Sequence, residues 1–279
     1  MPELPEVETM RRGVACVAGS PIEEVEQVQS KLRPLQILPS LQALRQRARG
    51  RTIVAVGRVG KRVVLELDSG ERIVIEPRMT GRVLLADPPD KMHLRLVFHL
   101  RGPQSRLLFW DSRGLGVVHL LTAEQFATAL GPEKLGPDAL EISTETLRKR
   151  LSTSRRAIKV ALLDQRALVG IGNLYASEIL HRARLHPGLP CNRLRPVQWK
   201  RLQAAMREVL EEAVLHQGST LADGMYRNAQ NEAGSFQDHH RVYQRAGEPC
   251  LQCGRGPIVR IVQAQRSTFY CPACQRQPR

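Results

Sequence analysis

The chain closes on two Cys-x-x-Cys pairs, Cys250 with Cys253 and Cys271 with Cys274, separated by 17 residues. Each pair makes a tight turn that aims two sulfurs at one point, and a gap of about 15 to 20 residues is the spacing of a four-thiolate zinc module. A redox dithiol is the alternative for either pair alone; the second pair at matching distance favours metal. The intervening text is β-rich over 257–262 and 267–270, so it folds back as a hairpin that brings the pairs together. Four thiolates leave no position for a catalytic water. The expected cofactor is therefore one structural Zn2+, contributing on the order of 10 kcal/mol of local folding free energy. Residues 241–279 hold seven Arg against one acidic residue, which makes the finger basic, with Arg266 carried at the hairpin tip toward a phosphate. Cys16 falls in the first helical segment and is expected as a buried thiol. Cys191 follows Pro190 in a loop, and the sequence assigns it no role.

The excess of positive charge extends well beyond the finger. The 279 residues carry a formal charge of +15, of which +5 lies before residue 135 and +10 after it, so no single basic tail accounts for it. A pI near 10.3 spread over a folded chain points to a polyanionic partner, nucleic acid before anionic membrane. No apolar run approaches the roughly 20 residues of a membrane-spanning helix. The opening MPELPEVETMRR is acidic where a secretory leader is basic, so the protein is expected in the cytosol. At about 100 to 200 residues per domain the length suggests two domains.

Hydrophobic periodicity divides the chain. Residues 3–18 read as a helix, with Leu4, Val7, Met10, Val14 and Val17 at three- and four-residue steps. Short β-rich runs follow at 52–59, 62–67, 72–75, 94–99 and 106–109, punctuated by Gly60, Gly70, Gly81, Gly102 and Gly114. That spacing suggests a sandwich or barrel over 1–130. Two Gly-Pro dipeptides mark 131–143 as a linker. Helical patterns then cover 144–151, 156–163, 174–183 and 196–216, and a polar stretch over 221–240 reads as a long loop within a helical domain spanning 144–240. Gly170 and Gly172 make a short turn before Asn173, and such a helix start offers backbone N–H groups to phosphate oxygens.

Position 2 is proline, and a small second residue favours removal of Met1. The exposed secondary amine would have a pKa near 7.7 to 8, leaving a usable fraction uncharged and nucleophilic. Glu3 beside it completes an amine and carboxylate pair able to attack an electrophilic carbon and move a proton. Pro and Glu also simply begin a helix well, so the residues alone leave both readings open.

MPELPEVET at the start, GNLYASE at 172–178 and GEPC with AQRSTFYC at the end together resemble the formamidopyrimidine-DNA glycosylase family. The motifs occur in family order and span the chain. The resemblance implies an α+β protein: an N-terminal β-sandwich with a leading helix, a helical domain with a helix-two-turn-helix, and the zinc finger over 241–279. It implies a monomeric, nucleoid-associated enzyme acting on duplex DNA that carries oxidised bases or abasic sites. Pro2 would attack C1′, with Glu3 as acid/base partner and Glu6 in support. Lys61 would contact DNA and assist, and Arg266 would bind phosphate during δ-elimination. Met79, Arg113 and Leu115 correspond to the wedge that fills the gap left by a flipped base. Lys91, Arg155 and Asn173 match DNA-contacting positions.

The chain departs from the family pattern at several of these places. Leu115 stands where the family has phenylalanine and Gly114 where it has a second arginine. Glu76-Pro77-Arg78 replaces His-Leu-Gly, Asp90-Lys91 replaces a Lys-His pair, and the loop YRNAQNEAGSFQ keeps Tyr226, Asn228 and Gly234 in altered surroundings. The expected function is a bifunctional glycosylase and abasic-site lyase on oxidised purines. The alternatives are a non-catalytic zinc protein for damaged DNA, or a glycosylase with an endonuclease VIII-like preference for oxidised pyrimidines.

Overall fold

The structure is a computed structural model that describes residues 2–29, 32–222 and 224–276. The chain divides into two compact units, Met1–Gly131 with His216–Gln237 and Pro132–Leu215 with Asp238–Arg279.

The first unit opens with α1 (Leu4–Gly13), followed by β1 (Ile22–Gln27), β2 (Gln36–Leu38) and α2 (Leu41–Ala48). Strands β3 (Ile53–Val59), β4 (Arg62–Leu67), β5 (Arg72–Glu76), β6 (Arg82–Leu84), β7 (Leu94–Leu100), β8 (Arg106–Trp110) and β9 (Val117–Leu121) come next, then α3 (Ala123–Leu130). They form a four-stranded sheet in the order β1-β7-β8-β6 and a five-stranded sheet in the order β2-β9-β5-β4-β3. Val25, Leu96, Phe98 and Phe109 of one sheet share a single buried cluster with Ile53, Val63, Leu65, Ile73 and Val118 of the other. Burying each such side chain contributes about 1.5 to 3 kcal/mol, and the β-sandwich follows from that shared face. Val7 and Met10 place α1 in the same core, which fixes the helix that begins at residue 4.

The five β-runs read from the sequence all form strands, whereas β2 and β6, three residues each, are too short to stand out as β-rich runs. Two helices also escaped the periodicity. Ser40 caps α2 by accepting a hydrogen bond from the Ala43 N–H at 3.1 Å, and Thr122 with Gln125 forms a capping box on α3. The first helix is shorter than its apolar pattern: α1 ends at Gly13 and a 3-10 turn covers Ala15–Val17. The tighter turn keeps Val14 and Val17 in the core but rotates Cys16 outward, so the thiol expected to be buried is exposed.

The second unit contains α4 (Thr144–Leu151), α5 (Ile158–Leu162), α6 (Asn173–Arg182), α7 (Pro196–Leu215) and the hairpin β10 (Val259–Gln263) and β11 (Arg266–Tyr270). Helix α6 packs on α5, α7 and β11. Gln165 holds the turn between α5 and α6: its Oε1 accepts the Gly170 N–H, and its Nε2 donates to the Leu163 and Ile171 carbonyls, each at 3.0 Å. The Gly-Pro-rich segment expected as a linker is docked on this same turn. Gly136 N–H donates to the Gln165 carbonyl at 2.9 Å, and residues 138 and 169 form a parallel bridge.

Residues 216–237, expected within the helical domain, group with the sandwich. Their polar composition reflects hydrogen bonding to the first unit and within the segment: Ser219 N–H reaches Glu6, Tyr226 donates to the Glu6 carbonyl, and Leu85 N–H donates to the Ala229 carbonyl. Gly234 is required by a close approach, because a Cβ there would sit 2.3 Å from the Gly218 carbonyl oxygen.

Candidate active site and metal centre

The start of α1 is buried. Pro2 has little exposure, and Glu3 and Glu6 are 4% and 3% exposed. Met1, whose removal the sequence leads one to expect, lies outside the described residues. Glu3 is the N-cap, in extended backbone, and Glu6 Oε2 reaches back to accept the Glu3 N–H at 2.9 Å. The other oxygen, Oε1, accepts the Ser219 N–H at 2.9 Å. Glu6 is thus held at both oxygens. Two carboxylates at the positive end of a helix are electrostatically at home, and they closely follow the one secondary amine that the start of the chain can offer.

The same helix positions Lys61. Glu8 accepts hydrogen bonds from Arg11 at 2.7 Å, Arg12 at 2.8 Å and Arg58 at 3.0 Å, and Arg58 Nη1 donates to the Gly60 carbonyl at 2.9 Å. Gly60, at φ 57, and Lys61 form the two-residue turn between Val59 and Arg62. A chain of contacts therefore runs from α1 through Glu8 and Arg58 to the lysine turn. Burial opposes the charge on Glu8, but the three arginines outweigh it and hold the carboxyl below its ordinary value.

Met79 and the segment 113–115 lie on separate loops joined by one buried carboxylate. Asp111, with no exposed surface, accepts from the Thr80 hydroxyl, from Arg113 N–H at 3.2 Å and from Gly116 N–H at 2.8 Å. Arg95 Nε donates to the Asp111 carbonyl at 2.8 Å. Arg113 is exposed, and Met79 and Leu115 are half-buried. Gly114 has φ 60, a left-handed backbone that favours glycine, and a Cβ there would lie 3.1 Å from the Arg33 carbonyl oxygen. Glu76 pairs with Arg62 at 2.9 Å and Arg78 at 3.2 Å. Lys91 is exposed beside Asp90, whose carboxylate binds His93 Nδ1 at 2.8 Å.

Three expected residues belong to the second unit: exposed Arg155, Asn173 and exposed Arg266. Asn173 begins α6, and its amide is locked by Lys159, a residue whose role the sequence did not reveal. The buried Lys159 ammonium donates to Asn173 Oδ1 at 2.7 Å, the Ser267 carbonyl at 3.0 Å and Thr268 Oγ1 at 2.6 Å. Asn173 Nδ2 donates to the same Ser267 carbonyl at 2.9 Å. Helix α5, the start of α6 and the hairpin are thereby joined around one cation. The signal was a lysine inside an apolar helix, V-A-L after A-I-K, but such a lysine reads equally well as a surface residue. Arg266 follows the two-residue turn of Ala264 and Gln265, at φ 46 and 59, as the hairpin expectation required.

The four cysteine sulfurs lie within 4.8 Å of one another, with Cys250 to Cys274 at 3.8 Å and Cys253 to Cys271 at 3.7 Å. A tetrahedron with Zn–S bonds of about 2.3 Å has edges of about 3.8 Å, so the donor set fits zinc. The ion would be structural, bracing the hairpin. His181 of α6 lies 3.5 Å from the Cys250 sulfur. Glu178, one turn earlier and fully buried, accepts the N–H groups of Arg241, Val242 and Tyr243 at 2.7 to 3.0 Å. Both tie the finger to α6. Burial pushes the Cys191 thiol up to about 11, so it is an inert core group.

Three family profiles together cover most of the chain. The formamidopyrimidine-DNA glycosylase N-terminal domain matches residues 1–118, its H2TH domain residues 130–224, and the zinc finger found in FPG and IleRS residues 247–277. A formamidopyrimidine-DNA glycosylase of Chloroflexus aurantiacus is 41% identical, with 99% of this chain and 98% of that protein covered. The crystal structure of the MutM (Fpg) protein of Thermus thermophilus superposes with a TM-score of 0.85 at 38% identity over 100% of both chains. Wild-type Lactococcus lactis Fpg, solved with DNA containing N7-benzyl-Fapy-dG, gives a TM-score of 0.87 at 31% identity over 99% of this chain and 100% of that one. The protein is an enzyme of the DNA glycosylase class. The chain belongs to the formamidopyrimidine-DNA glycosylase family.

Two outcomes test the site as a structure. Glu8→Gln should lower stability by about 1 to 3 kcal/mol at pH 7 through its charge-assisted hydrogen bonds. Because the folded pKa is depressed, that contribution is present above the unfolded value and is lost as pH falls through the folded one. The gap between wild type and variant in denaturant melts should therefore close below about pH 4; a gap constant with pH would contradict the ionic assignment. Native mass spectrometry should find one zinc per chain, and a chelator should remove it together with the hairpin's protection from hydrogen exchange. A hairpin that stays protected without metal would refute the structural role.

Proposed function

We propose that this enzyme excises oxidised purines, 8-oxoguanine and formamidopyrimidines, from duplex DNA and then cleaves the strand through a Schiff base on Pro2. The observation that carries the reading is the buried start of α1, where Glu3 and a doubly anchored Glu6 closely follow Pro2. Solved Lactococcus lactis Fpg structures hold DNA containing N7-benzyl-Fapy-dG or an abasic site, which supports a damaged-DNA substrate.

In the proposed reaction the uncharged Pro2 nitrogen attacks C1′, and the glycosidic C–N bond breaks toward the base, which takes up a proton. Glu3 carries the proton lost by the attacking nitrogen to the departing base, and a further proton passes through it to O4′ as the C1′–O4′ bond breaks and the sugar opens. The product is an iminium. A secondary amine makes it permanently cationic, so electrons from the C2′–H bond flow into it when that proton is removed and the C3′–O bond breaks. A second elimination breaks the C5′–O bond. Lys61 contacts DNA and assists, while Arg266 holds a phosphate. Met79, Arg113 and Leu115 fill the space of the flipped nucleotide, and Lys91, Arg155 and Asn173 add backbone contacts. The protein acts as a monomer in the cytoplasm, associated with the nucleoid. No helix among the described residues is long and apolar enough to cross a membrane.

Borohydride should trap a covalent adduct with duplexes bearing 8-oxoguanine or an abasic site, and Pro2→Gly should keep duplex affinity while losing most turnover. Absence of the adduct from protein lacking Met1, or full turnover of the variant, would remove Pro2 from the mechanism. Log affinity against log salt should fall with a slope of about 0.9 per phosphate neutralised. A slope near zero would leave the basic excess without a partner.

A further inference from the structure

Arg82 is a charged side chain buried in the sandwich, only 2% exposed, at the first position of β6. Its Nε donates to the Met225 carbonyl and its Nη2 to the Gly224 carbonyl, both at 2.8 Å. Its guanidinium carbon stands 4.4 Å from the centroid of the Trp110 ring. Trp110 is itself fixed, through an Nε1 hydrogen bond to the Asp90 carbonyl at 3.2 Å. Gly224, at φ 60, takes the left-handed backbone that lets two consecutive carbonyls converge on one planar donor. A guanidinium provides parallel donors in a rigid plane with a stackable face; an ammonium does not.

The strap that Arg82 grips touches the candidate active site at its other end. Tyr226, the next residue, is 4% exposed and donates its hydroxyl to the Glu6 carbonyl at 3.3 Å and the Gln217 carbonyl at 3.0 Å. The Tyr226 carbonyl accepts from Thr220 Oγ1 at 2.9 Å, and Ser219 N–H is bonded to the Glu6 carboxylate. Residues 219–220 and 224–226 therefore lie between the Arg82 clamp and the carboxylate that anchors the start of α1.

We propose that Arg82 is a positioning residue for base recognition: by clamping the Gly224 and Met225 carbonyls it sets the strap against the Glu6 site, and so determines how a flipped base is held there. The proposal rests on the reading of the enzyme as a base-excising glycosylase. A nucleotide that carries a damaged base needs the strap as a wall of its pocket. An abasic sugar has no base to hold and needs only the amine and carboxylates. Loss of the clamp should separate the two activities.

The test uses the full-length zinc protein as wild type, Arg82→Lys and Arg82→Gln. Single-turnover excision of 8-oxoguanine should fall at least tenfold in both variants, while cleavage of a preformed abasic duplex changes less than twofold. Hydrogen exchange of amides 224–232 should quicken in both variants, with the β4 and β5 amides unchanged. Trp110→Leu, which removes the stacked face and keeps the arginine, should shift the same ratio by a smaller factor. An equal fall in both activities, full rescue by lysine, or unchanged exchange over 224–232 would overturn the proposal. If wild type cleaves abasic DNA but excises no oxidised purine, the substrate reading fails, and the exchange measurement still decides whether Arg82 clamps the strap.

Discussion

The carboxylate of Glu6 is the point on which the first unit's functional geometry depends. One oxygen closes the start of α1 by accepting the Glu3 N–H, and the other accepts the N–H of Ser219, more than two hundred residues along the chain. A buried carboxylate is tolerated only when its lone pairs are satisfied, and here backbone donors from two distant segments satisfy them. The same interaction that lets the helix begin at residue 4 also pins the strap beside it. Glu8, further along the helix, extends the arrangement to Arg58 and the Lys61 turn. The start of one short helix thus links Glu3 and Glu6 beside Pro2 to the lysine turn and the strap.

The second unit follows a similar rule with the opposite charge. The Lys159 ammonium is buried and meets three oxygens from α6 and the finger hairpin, and it holds the Asn173 amide in a fixed orientation. Glu178 and His181 on the inner face of α6 bind the other side of the finger. The thiolate cluster fixes the hairpin internally, and these polar contacts fix it to the helix. Arg266 inherits its position from both.

Much of this was legible before any fold was known. The four cysteines, the Pro2-Glu3 start and Asn173 announced themselves because their chemistry depends on residue type and short spacing. The β-runs are legible as short Val-, Ile- and Leu-rich stretches between glycines, a pattern that strands buried over consecutive residues carry without strict alternation. Short strands such as β2 and β6 carry too few residues to show it, and the capped helices α2 and α3 were hidden by their few apolar positions. Cys16 was misplaced because the period of an α-helix was extended across a 3-10 turn. The linker at 131–143 and the loop at 221–240 are read from Gly, Pro and polar content, which report flexibility of the free chain. They do not reveal whether a partner surface exists to bind the exposed backbone groups.

Sequence by itself determined the candidate reacting groups and the metal-ligand set, since a proline at position 2, a carboxylate beside it and four paired cysteines are properties of residues and their local order. Only the tertiary structure decided which polar side chains support them. Asp111 joining two loops, Lys159 locking Asn173, Arg58 relaying Glu8 to the lysine turn and Arg82 gripping the strap are all pairings that no local pattern announces. Their partners are mostly backbone groups, which every residue carries and no sequence pattern distinguishes. Burial alone makes those contacts obligatory, because a charge withdrawn from water must find its hydrogen bonds within the protein.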